Sequence, residues 1–332
     1  MALRGHPGVS APTRERLRAL AWEMGYRPNP LIAANMVLLR AGRRSAYTGT
    51  LAFVGNGAPP DLNSPAHSLE RSYVGAQRRA EALGYRLEWF SLGKGVTGRR
   101  LGNILKARGV CGVVLGANEL VPSELQMDWS AFALAAIGRT EIGHDLHRTT
   151  GDYYQAVRGV CQICRARGYR RIGLSLSRDH DAAHHGLHHS AFVGCQIAWP
   201  AADRVPALIA NEWTEASFFA WLREHEPDVV IAGDDDFLPA WFARAGVRIP
   251  QDLGFVRPHV GRPELGIAGF LFHDEGIGAA AIDLVAEQLD HNERGLPEVV
   301  KLVLLPGRWF EGRSLRPAAV DGGSATLIRS PR

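Results

Sequence analysis

No stretch of about 20 consecutive apolar residues occurs in the 332-residue sequence, which excludes an ordinary membrane-spanning helix. The N-terminus lacks the basic-then-apolar layout of a secretory signal peptide, so the chain is expected to be cytoplasmic. Only four cysteines are present (111, 161, 164 and 195), and with no export signal they do not form a disulfide framework. Cys161 and Cys164 spell C-x-x-C, yet they fall mid-helix in DYYQAVRGVCQICRARGY, where the thiols face a core and no helix N-terminus activates them. The nucleophile elbow G-x-S-x-G, the zinc motif H-E-x-x-H and the phosphate-cradling P-loop are all missing, so no catalytic residues are expected and the chain is not read as an enzyme.

What is present is an ordinary globular composition, 46% hydrophobic and 22% charged, long enough for two lobes of roughly 100 to 150 residues. The net charge of +4 is unevenly spread. Residues 1–46 hold eight arginines against Glu15 and Glu23, a local excess of +6, leaving −2 for the rest of the chain. A basic head on a near-neutral body fits a polyanion-binding appendage; a solvated, arginine-rich helix is the alternative reading of charge alone.

That head, Val9 to Arg44, reads VSAPTRERLRALAWEMGYRPNPLIAANMVLLRAGRR. Ser10 or Thr13 can cap a helix in which Leu17, Leu20, Ala21 and Met24 share one apolar face, and Arg14, Arg16 and Arg18 take the other. Gly25 ends it, and Pro28 and Pro30 keep it from resuming.

From Tyr47 onward, strand and helix patterns alternate. Strands are predicted at Thr50–Val54, Tyr85–Ser91, Gly112–Leu115 and Ala133–Ile137, with helices near Ser68–Leu83 and Arg99–Ala107. A second set follows: helix Tyr153–Arg167, strand Arg171–Leu176, a helix near Ala183–Ala198, an extended Val205–Ile209, helix Thr214–Glu224 and strand Asp228–Ala232. Helix Phe237–Ala245, strand Leu253–Val256, helix Ile277–Leu289 and the apolar Val299–Leu305 complete it. Such alternation predicts an α/β protein of two lobes with parallel, doubly wound sheets and a cleft between them. The expected organisation is a partial all-α headpiece over 1–46, then a two-lobed domain over 47–316. Lobe 1 spans about 47–148, lobe 2 about 149–258 and crossing segments about 259–316, with a loosely ordered tail at 317–332.

Three separated pieces resemble one family. GHPGVSAPTRERLRALAWEMGYRPNP is similar to the end of the DNA-binding headpiece of lactose/galactose-repressor-type (LacI/GalR) transcription regulators; GTLAFV, EALGYRL and CGVVLGA resemble the first lobe of their effector domain; ARGYRRIGLSL, VVIAGDDD and VRIPQDLGFV resemble the second. The resemblance implies a periplasmic-binding-protein-like effector domain in a homodimer that binds a DNA operator through helix-turn-helix headpieces, tuned by a small effector, a sugar or related molecule, in the interlobe cleft. It implies no cofactor and no membrane partner. On this reading Arg4, His6, Arg14, Arg27 and Asn29 face DNA, and the hinge wedge falls on Asn35, with Met36 and Leu39 beside it. Met1–Arg4 corresponds only to the tail of the recognition helix, so a truncated headpiece is expected, with weak DNA binding carried by arginine–phosphate contacts. The implied effector residues are Ser64, His67, Arg139, His188, Asp234, Asp235 and Arg257. His188 stands where the family has arginine, four residues before Phe192. Asp234 replaces the usual Asn, and Val256-Arg257 replaces a carboxylate pair, so the family's sugar clamp is not reproduced. With His188 in a cleft, ligand affinity should change between about pH 5 and 8. A cytoplasmic ligand sensor without DNA binding is the alternative.

Two further patterns carry competing chemistry. Gly93, Gly95 and Gly98 form G-x-G-x-x-G after a strand, with Glu119 about 20 residues on, which would suit a nucleotide-dependent enzyme; a flexible strand-to-helix loop is the preferred reading. RDHDAAHHGLHHS places His184 with His188, and His185 with His189, four residues apart, able to face one metal from a helix alongside Asp179 or Asp181. No third element is identifiable, so these histidines, with His180, are read as solvent-facing or cleft-lining and no metal is assigned.

Overall fold

The computed structural model describes residues 11–23, 49–56, 59–60, 68–92, 97–116, 125–139, 143–211, 214–233 and 237–317. Helix α1 (Ala11–Glu23) occupies the arginine-rich head. It already includes Thr13, so Thr13 is not its cap, and Ser10 lies outside the described residues. Leu20, expected on a buried apolar face, is exposed.

The described residues fall into two compact units, those up to Gly151 with His273–Leu305, and Asp152–Phe272 with those from Pro306. Unit 1 contains β1 (Gly49–Asn56), α2 (Ser68–Ala82), β2 (Tyr85–Leu92), α3 (Gly98–Ala107), β3 (Val110–Gly116), β4 (Ala133–Ile137) and β5 (His147–Gly151). The returning α9 (Asp274–His291) and β11 (Leu302–Leu305) complete it. Its strands are parallel, in the order β11-β5-β4-β3-β1-β2. Runs such as Leu51–Val54 and Val113–Leu115 are fully buried because a parallel sheet is covered on both faces, which is why they read as unbroken apolar segments.

Helices α2 and α9 meet backbone to backbone. A Cβ on Gly75 would lie 1.9 Å from the Glu275 carbonyl oxygen, and one on Gly278 1.8 Å from that of Ser72. Ion pairs Arg71–Asp274 (2.8 Å) and Arg79–Asp283 (2.6 Å) flank this seam. Further along α9, Gln288 accepts from the Leu134 backbone N–H and donates to its carbonyl, both at 2.9 Å, completing the start of β4 where β5 does not yet pair with it.

Unit 2 contains α4 (Tyr153–Ala166), β6 (Ile172–Ser177), α5 (Arg178–Ala183), α6 (Leu187–Gln196), β7 (Leu208–Ala210), α7 (Glu215–His225) and β8 (Val229–Ala232). α8 (Phe237–Arg244), β9 (Gly254–Arg257), β10 (Ala268–Leu271) and β12 (Arg308–Phe310) follow. The order is β12-β10-β9-β8-β6-β7, parallel except for the antiparallel β10–β12 pair. Its core joins Leu174, Leu176, Val229, Ile231 and Val256 to Tyr169 and Phe192. In each sheet the winding reverses once, between β1 and β3 in unit 1 and between β6 and β8 in unit 2, and ligands of open α/β sheets gather outside the strands' carboxyl ends at such a reversal.

Three strands are unforeseen. β5 reads HRTTG and buries His147, Thr149 and Thr150, with Thr149 Oγ1 donating to the Ile277 carbonyl at 3.0 Å, so it carries no apolar run to announce it. β10 and β12 are short, of four and three residues, and pair antiparallel with each other, β10 also pairing in parallel with β9. The helix predicted over Ala183–Ala198 is instead two helices separated by a left-handed turn at His185 (φ 53°) and Gly186 (φ 69°).

Candidate functional site

The carboxyl edge of the unit 2 sheet carries a group of ring side chains. β6 ends at Ser177, whose hydroxyl accepts from the His180 backbone N–H at 3.2 Å and so starts α5. α5 lasts six residues and is capped at its C-terminal end by His184. The chain then turns through His185 and Gly186, with the Gly186 N–H donating to the Asp181 carbonyl at 2.8 Å, and re-enters a helix at Leu187. Gly186 offers no capping side chain; the Asp181 carboxylate reaches over instead, accepting from the His189 N–H at 3.4 Å.

This break matters for geometry. In a continuous helix, residues eight apart are separated by about 12 Å along the axis and their rings do not meet. Here the rings of His180 and His188 lie 5.2 Å apart between centres, with His184 4.7 Å from each. Tyr153, at the start of α4, stacks edge-on against His184 at 4.7 Å and lies 5.4 Å from His188. His259, two residues beyond β9, and Phe272, directly after β10, close the group at 6.1 and 4.9 Å from Tyr153.

The electrostatics follow from burial. His188 is 1% exposed, and burial, together with the neighbouring His184, His180 and His259, holds its pKa well below the usual histidine value. His180 is pushed down to about 4, first by burial and then by His184 and His259. His184 is lowered by burial, although its hydrogen bond to the His180 carbonyl works the other way. All three imidazoles are therefore neutral at pH 7. The expected titration of His188 between pH 5 and 8 moves to the acid side, because desolvation opposes its charged form. Two buried polar atoms at this edge, His188 Nδ1 and Ser175 Oγ, have no hydrogen-bond partner among the described residues. Arg257, the last residue of β9, is fully buried, with its guanidinium 5.8 Å from the Phe255 ring centre.

Of the residues expected to meet an effector, His188 and Arg257 belong to unit 2, and Arg139 lies just past β4 in unit 1. Ser64, His67, Asp234 and Asp235 lie outside the described residues, as do Arg4, His6, Arg27, Asn29, Asn35, Met36 and Leu39; Arg14 falls within α1. Sequence reasoning missed Tyr153, His259 and Phe272. Their common signal is position, Tyr153 at a helix start and His259 and Phe272 just past the carboxyl ends of β9 and β10; β9 was placed one residue early and β10 was unforeseen.

The glycine motif resolves differently. Gly98 opens α3 with Thr97 as its cap, accepting from the Arg100 N–H at 3.3 Å, while Gly93, Gly95 and Glu119 lie outside the described residues. The preceding strand, β2, is the outermost of its sheet, away from the β1/β3 reversal where a dinucleotide fold carries its fingerprint. Cys161 and Cys164 are buried in α4, and burial pushes the Cys164 thiol up to about 12. No helix among the described residues is long and apolar enough to cross a membrane.

No protein-family model and no curated protein matches the sequence. Solved structures do match in fold. The transcriptional regulator CelR in complex with cellobiose aligns over 94% of this chain and 94% of its own, at 18% identity and a TM-score of 0.56. The transcription regulator CcpA of Lactococcus lactis aligns over 81% of this chain and all of its own, at 14% identity and a TM-score of 0.58. A LacI-family regulatory protein from Chloroflexus aggregans aligns over 80% and 98%, at 16% identity and a TM-score of 0.58. By fold, then, this chain is a two-unit α/β protein of the kind found in solved LacI-family transcriptional regulators.

Proposed function

We propose that the chain is a DNA-binding transcriptional regulator of the LacI/GalR type, acting in the cytoplasm as a homodimer, whose hold on its operator responds to a small molecule. The observation that carries this reading is the likeness to regulators along most of the chain, one of them solved with cellobiose, joined to the Val9–Pro30 motif at the basic head. The reading is of a binding protein rather than an enzyme.

The effector site is proposed at the carboxyl edge of unit 2, on His188, Arg257 and the surrounding rings. Tyr153 and Phe272 offer faces on which a sugar or a planar ring can stack, and Arg257 offers a cation for a carboxylate or hydroxyl group. Replacement of the family's carboxylate pair by Val256-Arg257 favours an acidic effector over a neutral sugar. Self-association is supported by exposed Tyr154 on α4 and by exposed Val193 and Ile197 at the end of α6, a helix that packs on α4.

The test is gel-shift titration against DNA upstream of the gene, with the 332-residue chain and with the product of the whole reading frame in which it lies. Binding to one segment at least ~1,000-fold tighter than to competitor DNA is expected from the latter. If competitor abolishes every shift with both proteins, the regulator reading fails and a ligand sensor without DNA binding takes its place.

A further inference from the structure

We propose that His180, His184 and His188 form a binding site for a divalent transition-metal ion of the zinc, cobalt or nickel class. One nitrogen from each ring lies within 4.8 Å of the other two. A zinc ion with Zn–N bonds of about 2.0–2.1 Å and tetrahedral angles sets its nitrogens roughly 3.4 Å apart, so the rings reach an ion by small rotations without backbone movement. The break at His185–Gly186 is what supplies the third ligand. Two histidines on one helix turn are common, but here the chain folds back so that a third, eight residues on, joins them.

Two independent observations point to a ligand. His188 Nδ1 is buried, in a side chain 1% exposed, and has no hydrogen-bond partner among the described residues. Leaving such an atom unsatisfied costs about 1–3 kcal/mol. A metal ion held at that nitrogen would satisfy it. His184 is already oriented as metal-binding histidines usually are: its Nδ1 stands 2.9 Å from the His180 carbonyl oxygen, which can only accept, so Nδ1 carries the proton and the Nε2 lone pair is left for an ion.

The donor set selects the metal. Three neutral imidazoles suit zinc, cobalt, nickel or copper, whereas magnesium and calcium require oxygen ligands. Asp181 is the carboxylate whose charge acts on His184, and it lies outside the ligand set, partly offsetting the ion's charge. Three protein ligands leave a fourth position open, as in catalytic zinc sites, for water or an oxygen donor of an incoming molecule.

The inference stands apart from the regulator reading, because it is tested on the purified 332-residue chain with no DNA and no effector. The chain is stripped with EDTA, dialysed and titrated with Co2+, reading visible d–d absorption and metal content. One Co2+ per chain with the intense bands of a tetrahedral nitrogen site, displaced by Zn2+, is expected, and His180→Gln and His184→Ala should each weaken binding at least ~100-fold while circular dichroism is unchanged. No bound metal, a sulfur-to-cobalt charge-transfer band from the cysteines, or binding that survives both substitutions overturns the proposal. If the variants fail to fold, the spectrum of the unmodified chain decides by itself.

Discussion

Each unit buries a histidine, and the two histidines are treated in opposite ways. His147 in unit 1 is 5% exposed, and its Nδ1 accepts from the Lys301 backbone N–H at 3.0 Å, the contact that leads β11 into its pairing with β5. His188 in unit 2 is more deeply buried, and its Nδ1 meets nothing among the described residues. The same contrast extends to neighbours. Gln288 in unit 1 spends its amide on the Leu134 backbone and the Leu284 carbonyl, whereas Ser175 in unit 2 leaves its hydroxyl unsatisfied. His147 and Gln288 in unit 1 hold strands together, whereas His188 Nδ1 and Ser175 Oγ at the carboxyl edge of unit 2 have no partner among the described residues. Unit 1 has such an atom of its own, Trp129 Nε1, away from these strand contacts.

The strongest way to break that comparison is Gln288→Leu. The replacement is close in size, but it strands the N–H and the carbonyl of Leu134 in a dry interior, and each orphaned group costs about 1–3 kcal/mol. A loss of about 2–4 kcal/mol in urea unfolding is expected. A loss below about 1 kcal/mol would mean water replaces the amide and unit 1 is not a satisfied interior.

His147 gives a smaller effect with a definite pH signature. Burial, aided by the charge of Lys301, holds its pKa below the usual 6.5, and only the neutral ring can accept from Lys301. Below about pH 6.5 the unfolded chain takes up a proton that the folded chain refuses, so stability is complete above that pH and declines as pH falls toward the depressed folded value. The slope is at most about 1.4 kcal/mol per pH unit. His147→Leu should cost about 1–3 kcal/mol at pH 7.5 by orphaning the Lys301 N–H, and should remove this part of the acid decline. An unchanged slope in urea midpoints between pH 7 and 5 would assign the decline to other groups.

Much of the fold was legible in the sequence because parallel strands covered on both faces appear as apolar runs: Ala133–Ile137 was placed at its observed ends, and Thr50–Val54 and Asp228–Ala232 within a few residues. Two parts were less legible, one of the fold and one of the site. In the fold, β5 fills its buried positions with His and Thr that satisfy themselves through hydrogen bonds, so hydrophobicity says nothing about it. The turn at His185–Gly186 places a non-glycine residue at φ 53°, which no local pattern in RDHDAAHHGLHHS announces, and the third ring of the cluster depends on it. Sequence spacing paired His184 with His188 and also His185 with His189; the turn keeps the first pair, adds His180 and leaves His185 and His189 out of the cluster.

The smallest expected effect sharpens the comparison most. Ser175 is fully buried near the end of β6, and its hydroxyl has no partner among the described residues, so the folded state already bears the cost of desolvating it. Ser175→Ala removes that burden along with the oxygen and leaves a void smaller than a water molecule. The two terms nearly cancel, and a change within about 0.5 kcal/mol, or a gain of up to about 1 kcal/mol, is expected in urea unfolding. The measurement belongs beside His147→Leu at the same pH, since both delete a buried polar group. If Ser175→Ala costs as much as His147→Leu, a buried water satisfies the hydroxyl, and Ser175 is bonded as well as His147. If it costs nothing, the two residues differ as their hydrogen bonds indicate, His147 bonded within its unit and Ser175 without a partner among the described residues.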